Sequence, residues 1–115
     1  MEFTSMEFVE TPVFTKLVLE HDLEEPLRSL QVELIQNPMS GRLDPNTGGL
    51  RKIRVPDPSR NKGKRGGVRV HYLWVPLSKR IYLIFLYPKG TQESLTHQQK
   101  ELLKKVTRRV RDESH

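Results

Sequence analysis

Apolar and polar positions change period along the chain, and each change marks an element. Phe8 to Val13 carries apolar side chains close together and predicts a first strand. Phe14 to Leu19 predicts a short helix. Asp22 then reads as an N-cap, with Glu25 as its reciprocal partner and Pro26 in the first turn, where a missing N–H does little harm. Leu27, Leu30, Val32, Leu34 and Ile35 supply an apolar stripe for a second helix that ends near Asn37-Pro38. From Gly41 to Gly49, Pro45, Asn46 and three glycines predict a loop.

The second half changes to strand periods. Leu50 to Val55 (LRKIRV) predicts a strand, and Pro56 to Gly67 a loop. Val68 to Val75 alternates with period two. After a turn at Pro76 to Lys79, Ile81 to Tyr87 (IYLIFLY) is apolar on both faces, as a central strand should be. Thr96 and Gln99 form a capping box ahead of a last helix, in which Leu102, Leu103, Val106 and Val110 recur at helical spacing. The expected order is β-α-α-β-β-β-α. Short turns between the last three strands predict an antiparallel sheet, with the helices packed on one face: an α+β fold.

Length and composition bound this reading. A chain of 115 residues with 35% hydrophobic positions supplies one small core, so a single domain over 1–115 is expected. MEF occurs at 1–3 and again at 6–8, which marks residues 1–5 as an N-terminal extension. No run approaches the roughly 20 apolar residues of a membrane span, and the acidic N-terminus does not read as a secretory signal. Without cysteine, disulfides and thiolate zinc sites are excluded. His21, His71, His97 and His115 lack metal-ligand spacing, so no metal or other cofactor is expected.

Charge is distributed unevenly. Up to Asn37, Glu2, Glu7, Glu10, Glu20, Asp22, Glu24, Glu25 and Glu33 outnumber Lys16 and Arg28. Beyond Gly48 cations dominate, and the net charge is +6. Such asymmetry points to an anionic partner for the second half, of which nucleic acid is the commonest. Arg60, Lys62, Lys64 and Arg65 concentrate in the loop before the alternating strand.

Parity places other cations together. Arg69 and His71 point away from Val68, Val70, Tyr72 and Trp74, which read as core. Lys52 and Arg54 share a face of the preceding strand, so antiparallel pairing predicts one surface carrying Lys52, Arg54, Arg69 and His71. Tyr87 and Lys89 close the next strand beside it. The set has phosphate binders, a planar ring and a group that titrates near neutrality, but neither a nucleophile with its base nor paired carboxylates. RNA cleavage suits such a set, because the substrate's own 2′-hydroxyl is the nucleophile. The protein then has to orient the strand, neutralise the phosphorane and move protons. Arginine can hold the developing charge bidentately, and a lysine among cations can serve as base.

The stretch from Gly48 to Thr96 closely resembles the HigB group of RelE-like toxins from type II toxin–antitoxin modules. The resemblance is carried by GGLRKIR, by the KGKRGG-x-R junction and by the strand end IYL-x-x-x-Y-x-K, and it extends weakly from Met6 to about Arg109. It implies a RelE-like fold and a cytoplasmic, ribosome-dependent endoribonuclease that cuts mRNA in the decoding site without a metal. It also implies inhibition by a cognate HigA-like antitoxin with a helix-turn-helix domain, through which alone operator DNA would be contacted. Lys52 and Arg54 match the strand cations that these toxins direct at the scissile phosphate, and Arg69 matches the arginine opening the next strand. Lys89 lies where the family has a basic residue, and Lys62, Lys64 and Arg65 belong to its basic loop. Two departures stand out. The catalytic tyrosine of some members falls near Leu95 here, leaving Tyr87 as a substitute RNA contact, and His71, a possible acid or base, matches no family requirement.

Two other classes fit the same residues: a non-catalytic RNA- or ribosome-binding module, and a basic adaptor for an acidic protein. The cations from Lys100 to Arg111 read as a solvated helix face or a ribosomal RNA contact.

Overall fold

A computed structural model of the chain describes residues 5–58, 61, 63 and 66–114. The elements run β1 (Glu7–Glu10), α1 (Pro12–Glu20), α2 (Glu24–Gln36), β2 (Arg42–Leu43), β3 (Arg51–Val55), β4 (Val68–Val75), β5 (Arg80–Pro88) and α3 (His97–Glu113). The fold is α+β in the expected order, with the two-residue β2 added inside what the sequence reads as a loop. Among the described residues, no helix is long and apolar enough to cross a membrane.

The first strand stops earlier than its apolar pattern predicts. Thr11 leaves the sheet to cap α1, accepting from the Phe14 N–H at 3.1 Å, and Pro12 starts the helix with a preset φ. The expected Asp22 cap is not formed. Asp22 sits at φ 54° and closes α1 instead, with the Leu23 N–H reaching back to the Val18 carbonyl at 3.0 Å and the Asp22 N–H to Leu19 at 3.3 Å. These reverse bonds define a Schellman end, in which a short polar residue tolerates the left-handed position. α2 therefore begins without a side-chain cap, and Glu24 and Glu25 in its first turn favour its N-terminal dipole. Of its expected stripe, Leu27, Leu30 and Leu34 are buried, whereas Val32 and Ile35 face outward.

The sheet order is β1-β5-β4-β3-β2. Its last four strands pair antiparallel, but β1 joins β5 in parallel, so the sheet is mixed and not purely antiparallel. One face packs Phe8, Ile53, Val55, Val68, Val70, Tyr72, Ile81, Leu83 and Leu86 against Phe14 and Val18 of α1 and Leu27, Leu30 and Leu34 of α2. The expectation that all helices share one face does not hold. α3 lies across the other face, where Leu103, Val106 and Val110 meet Leu73, Tyr82, Ile84 and Phe85. β5 makes this possible because it is apolar on both sides. His71 pairs with Phe85 and Tyr72 with Leu83, so Ile84 is the extra residue of a bulge that turns Ile84 and Phe85 together toward α3. The capping box forms as expected, with Gln99 N–H donating to Thr96 Oγ1 at 3.1 Å and Thr96 N–H to Gln99 Oε1 at 3.0 Å.

Candidate functional site

The cations lie on the sheet face that α3 packs against, some exposed and some buried. Two cross-strand rows hold them. In one, Lys52 of β3 faces His71 of β4, which faces Phe85 of β5; in the other, Arg54 faces Arg69, which faces Tyr87. Lys52, Arg54, Arg69 and His71 thus come together as parity requires, with Tyr87 beside them. Arg42 of β2 is the direct partner of Lys52 and extends the first row to the sheet edge. Strands stand about 4.8 Å apart and residues two positions along a strand about 7 Å apart, so four cations fit within two neighbouring rows.

The rows differ in exposure. Arg54 is exposed and Lys52 is half-buried, but Arg69 is only 4% exposed, Tyr87 3% and His71 0%. Burial and the neighbouring Arg54 lower the Arg69 pKa, and Tyr87 and Glu93 partly oppose this. Burial also raises the Tyr87 phenol, so its hydroxyl keeps its proton. Glycine is required where the basic loop joins β4: a Cβ on Gly67 would overlap the Val55 carbonyl. Lys89 is half-buried just past β5, its backbone N–H donating to the Gly67 carbonyl at 2.9 Å. Lys62, Lys64 and Arg65, expected as RNA contacts, lie outside the described residues.

His71 has a partner that the sequence did not disclose. Its Nε2 donates to Asp44 Oδ2 at 2.9 Å, and its ring stacks on Tyr87 with centroids 5.7 Å apart. Burial lowers the His71 pKa, the Asp44 bond partly restores it, and Lys52 and Lys100 lower it further. Among the described residues no group hydrogen-bonds His71 Nδ1 or the Tyr87 hydroxyl. With no exposed surface, His71 does not reach a ligand lying on the sheet, so its geometry suits positioning better than acid–base work.

Asp44 is held by a loop docked on α3. The Asp44 N–H donates to Leu50 O at 2.9 Å, Thr47 Oγ1 donates to Asp44 O at 2.7 Å, and the Leu50 N–H donates to Thr47 Oγ1 at 3.1 Å. Buried Thr107 of α3 places its hydroxyl 3.2 Å from the Thr47 carbonyl. Gly48 and Gly49, at φ 79° and 107°, turn the chain against Thr107 and Arg111. Asp44 before Pro45-Asn46 looks like an ordinary turn residue, and its strand partner lies 27 positions away, beyond the reach of local pattern. Arg42 was equally hidden, because two strand residues have no measurable period.

No protein-family model matches the chain.

Proposed function

We propose that this chain is a RelE-like toxin of a type II toxin–antitoxin module: a cytoplasmic, ribosome-dependent mRNA endoribonuclease that cleaves without a metal. The observation that carries this reading is the direct opposition of Arg54 and Arg69, with Lys52 one row away on the same face. Exposed Arg54 and half-buried Lys52 offer donors to a phosphate lying on that face.

In the reaction proposed, the 2′-oxygen of one ribose attacks the adjacent phosphorus and the bond from phosphorus to the 5′-oxygen breaks. The 2′-hydroxyl loses a proton and the departing 5′-oxygen gains one, leaving a 2′,3′-cyclic phosphate and a 5′-hydroxyl. Arg54, the exposed member, contacts the non-bridging oxygens. Lys52 supplies a second donor from the same strand. Arg69 acts from beneath, where sparse water screens its charge less. Asp44 and His71 fix the floor on which these side chains stand. Partners in this role are the ribosome, mRNA and a HigA-like helix-turn-helix antitoxin, with operator DNA reached only through the antitoxin.

The burial of Arg69 and His71 favours one competing reading, a non-catalytic RNA- or ribosome-binding module. Inducible expression with mapping of mRNA 5′ ends separates the two. The toxin reading expects growth arrest, new 5′ ends within translated codons and rescue by an antitoxin gene beside this one. Arrest without new ends would leave only the binding module.

A further inference from the structure

The groove at the β2 edge begins at Lys52 and Arg54 and extends past them to residues that the chemistry above does not use. About 530 Å³ in volume, it is lined by Arg42, Leu43, Asp44, Pro45, Lys52 and Arg54, and on the α2 side by Glu33. We infer that it is a subsite for the nucleotide flanking the scissile linkage, with Arg42 as the residue that takes that nucleotide's phosphate. The inference rests on the ribonuclease reading for the word scissile, but not for RNA binding itself.

Three observations carry it. Arg42 is in register with Lys52, so its side chain leaves the sheet on the cationic face, one strand spacing outward. It is exposed, and among the described residues no acid pairs with it, so its five donors are available. The walls beside it differ in kind. Leu43 and Pro45 are exposed apolar surfaces against which a base can lie. Asp44, committed through Oδ2 to His71, and Glu33 of α2 place negative charge on the walls away from the β2 rim. A phosphate is repelled there and drawn to the rim, while a base, being neutral, is not. The arrangement therefore fixes which part of a nucleotide enters. A single strand crossing from β3 to β2 would set one phosphate over Lys52 and Arg54 and the next over Arg42.

The test is a fluorescence titration of a labelled single-stranded oligoribonucleotide over a range of salt, with wild type, Arg42→Ala, Arg42→Lys and Lys16→Ala. Lys16 lies on α1, on the opposite side of the sheet, and controls for loss of one charge anywhere. Each phosphate contact on single-stranded RNA contributes about 0.7 to the slope of log K against log salt. Arg42→Ala should reduce the slope by about that amount, and Arg42→Lys and Lys16→Ala should preserve it. In ribosome-programmed cleavage, Arg42→Ala should raise KM about three- to tenfold with kcat nearly unchanged, the pattern of lost uniform binding. An unchanged slope in Arg42→Ala, or an equal fall in Lys16→Ala, overturns the subsite. A reduced slope with no mRNA cleavage by wild type would sink the ribonuclease reading and leave the RNA subsite standing.

Discussion

Arg54 on β3 and Arg69 on β4 are direct partners across the ladder, one exposed and the other buried. Like charges in that relation destabilise a sheet by roughly 0.2–1 kcal/mol. Arg54 is also among the causes that lower the Arg69 pKa. Arg54→Ala should therefore do two opposite things. Thermal unfolding should show an unchanged or slightly raised Tm, and cleavage in a reconstituted translation system should fall by roughly 100-fold or more, as for a lost electrostatic stabiliser. A variant that loses stability and keeps cleavage would remove Arg54 from the site.

The His71–Asp44 pair sets a pH dependence. The folded-state pKa of His71 lies below its ordinary value of 6.5 because the ring is buried. Folding then favours the neutral ring, so the unfolded chain binds the proton first as pH falls. The stabilisation is complete above the unfolded pKa and is lost as pH drops from about 6.5 through the folded value, at up to about 1.4 kcal/mol per pH unit. Urea melts at several pH values should show wild type weakening through this window more than His71→Gln, which keeps a donor for Asp44 and does not titrate. Parallel curves would mean that His71 gains its proton as readily in the fold as out of it.

Tyr72 holds the approach to β2. Its hydroxyl accepts from the Gly41 N–H at 2.9 Å and donates to the Pro38 carbonyl at 2.7 Å. Tyr72→Phe leaves both backbone groups without that partner, at a cost of about 1–3 kcal/mol. Faster amide exchange should appear at Gly41 and Arg42, while that of β5 stays unchanged. Uniform acceleration would mean that the hydroxyl supports the whole core and not this segment.

Gly67→Ala should be the most damaging small substitution near the site, because the added methyl overlaps the Val55 carbonyl and crowds Pro56. Forcing the two strands apart should cost about 1–3 kcal/mol. Chemical denaturation would register the loss, and cleavage should fall with it as Arg54 and Arg69 lose their common spacing. Gly63→Ala, where a Cβ meets no atom within 4 Å, should change neither.

Periodicity made much of this molecule legible. Alternation in β3 and β4 was enough to bring Lys52, Arg54, Arg69 and His71 to one surface, because parity survives any register that keeps a paired face. The capping box at Thr96 was equally plain. What stayed hidden depended on contacts between distant segments. Nothing local distinguishes Asp44 as a partner of His71, and the apolar stripe of α3 says that it packs without saying on which side. The two-sided apolarity of β5 held that information, but the bulge at Ile84 is needed to see that its second face receives a helix. Asp22 was misplaced because one short polar residue serves equally well at the end of a helix and at the start of the next.

The parallel pairing of β1 also has a practical bearing. Glu7 lies opposite Arg80, at the start of β5, whereas Tyr87 sits near its finish. Seven steps along the strand separate Arg80 from Tyr87, about 23 Å at the usual rise. A fluorophore attached at exposed Glu7 sits at the end of β5 remote from Tyr87 and Arg69, so labelled protein can be titrated with oligonucleotide without the label shading the surface being measured.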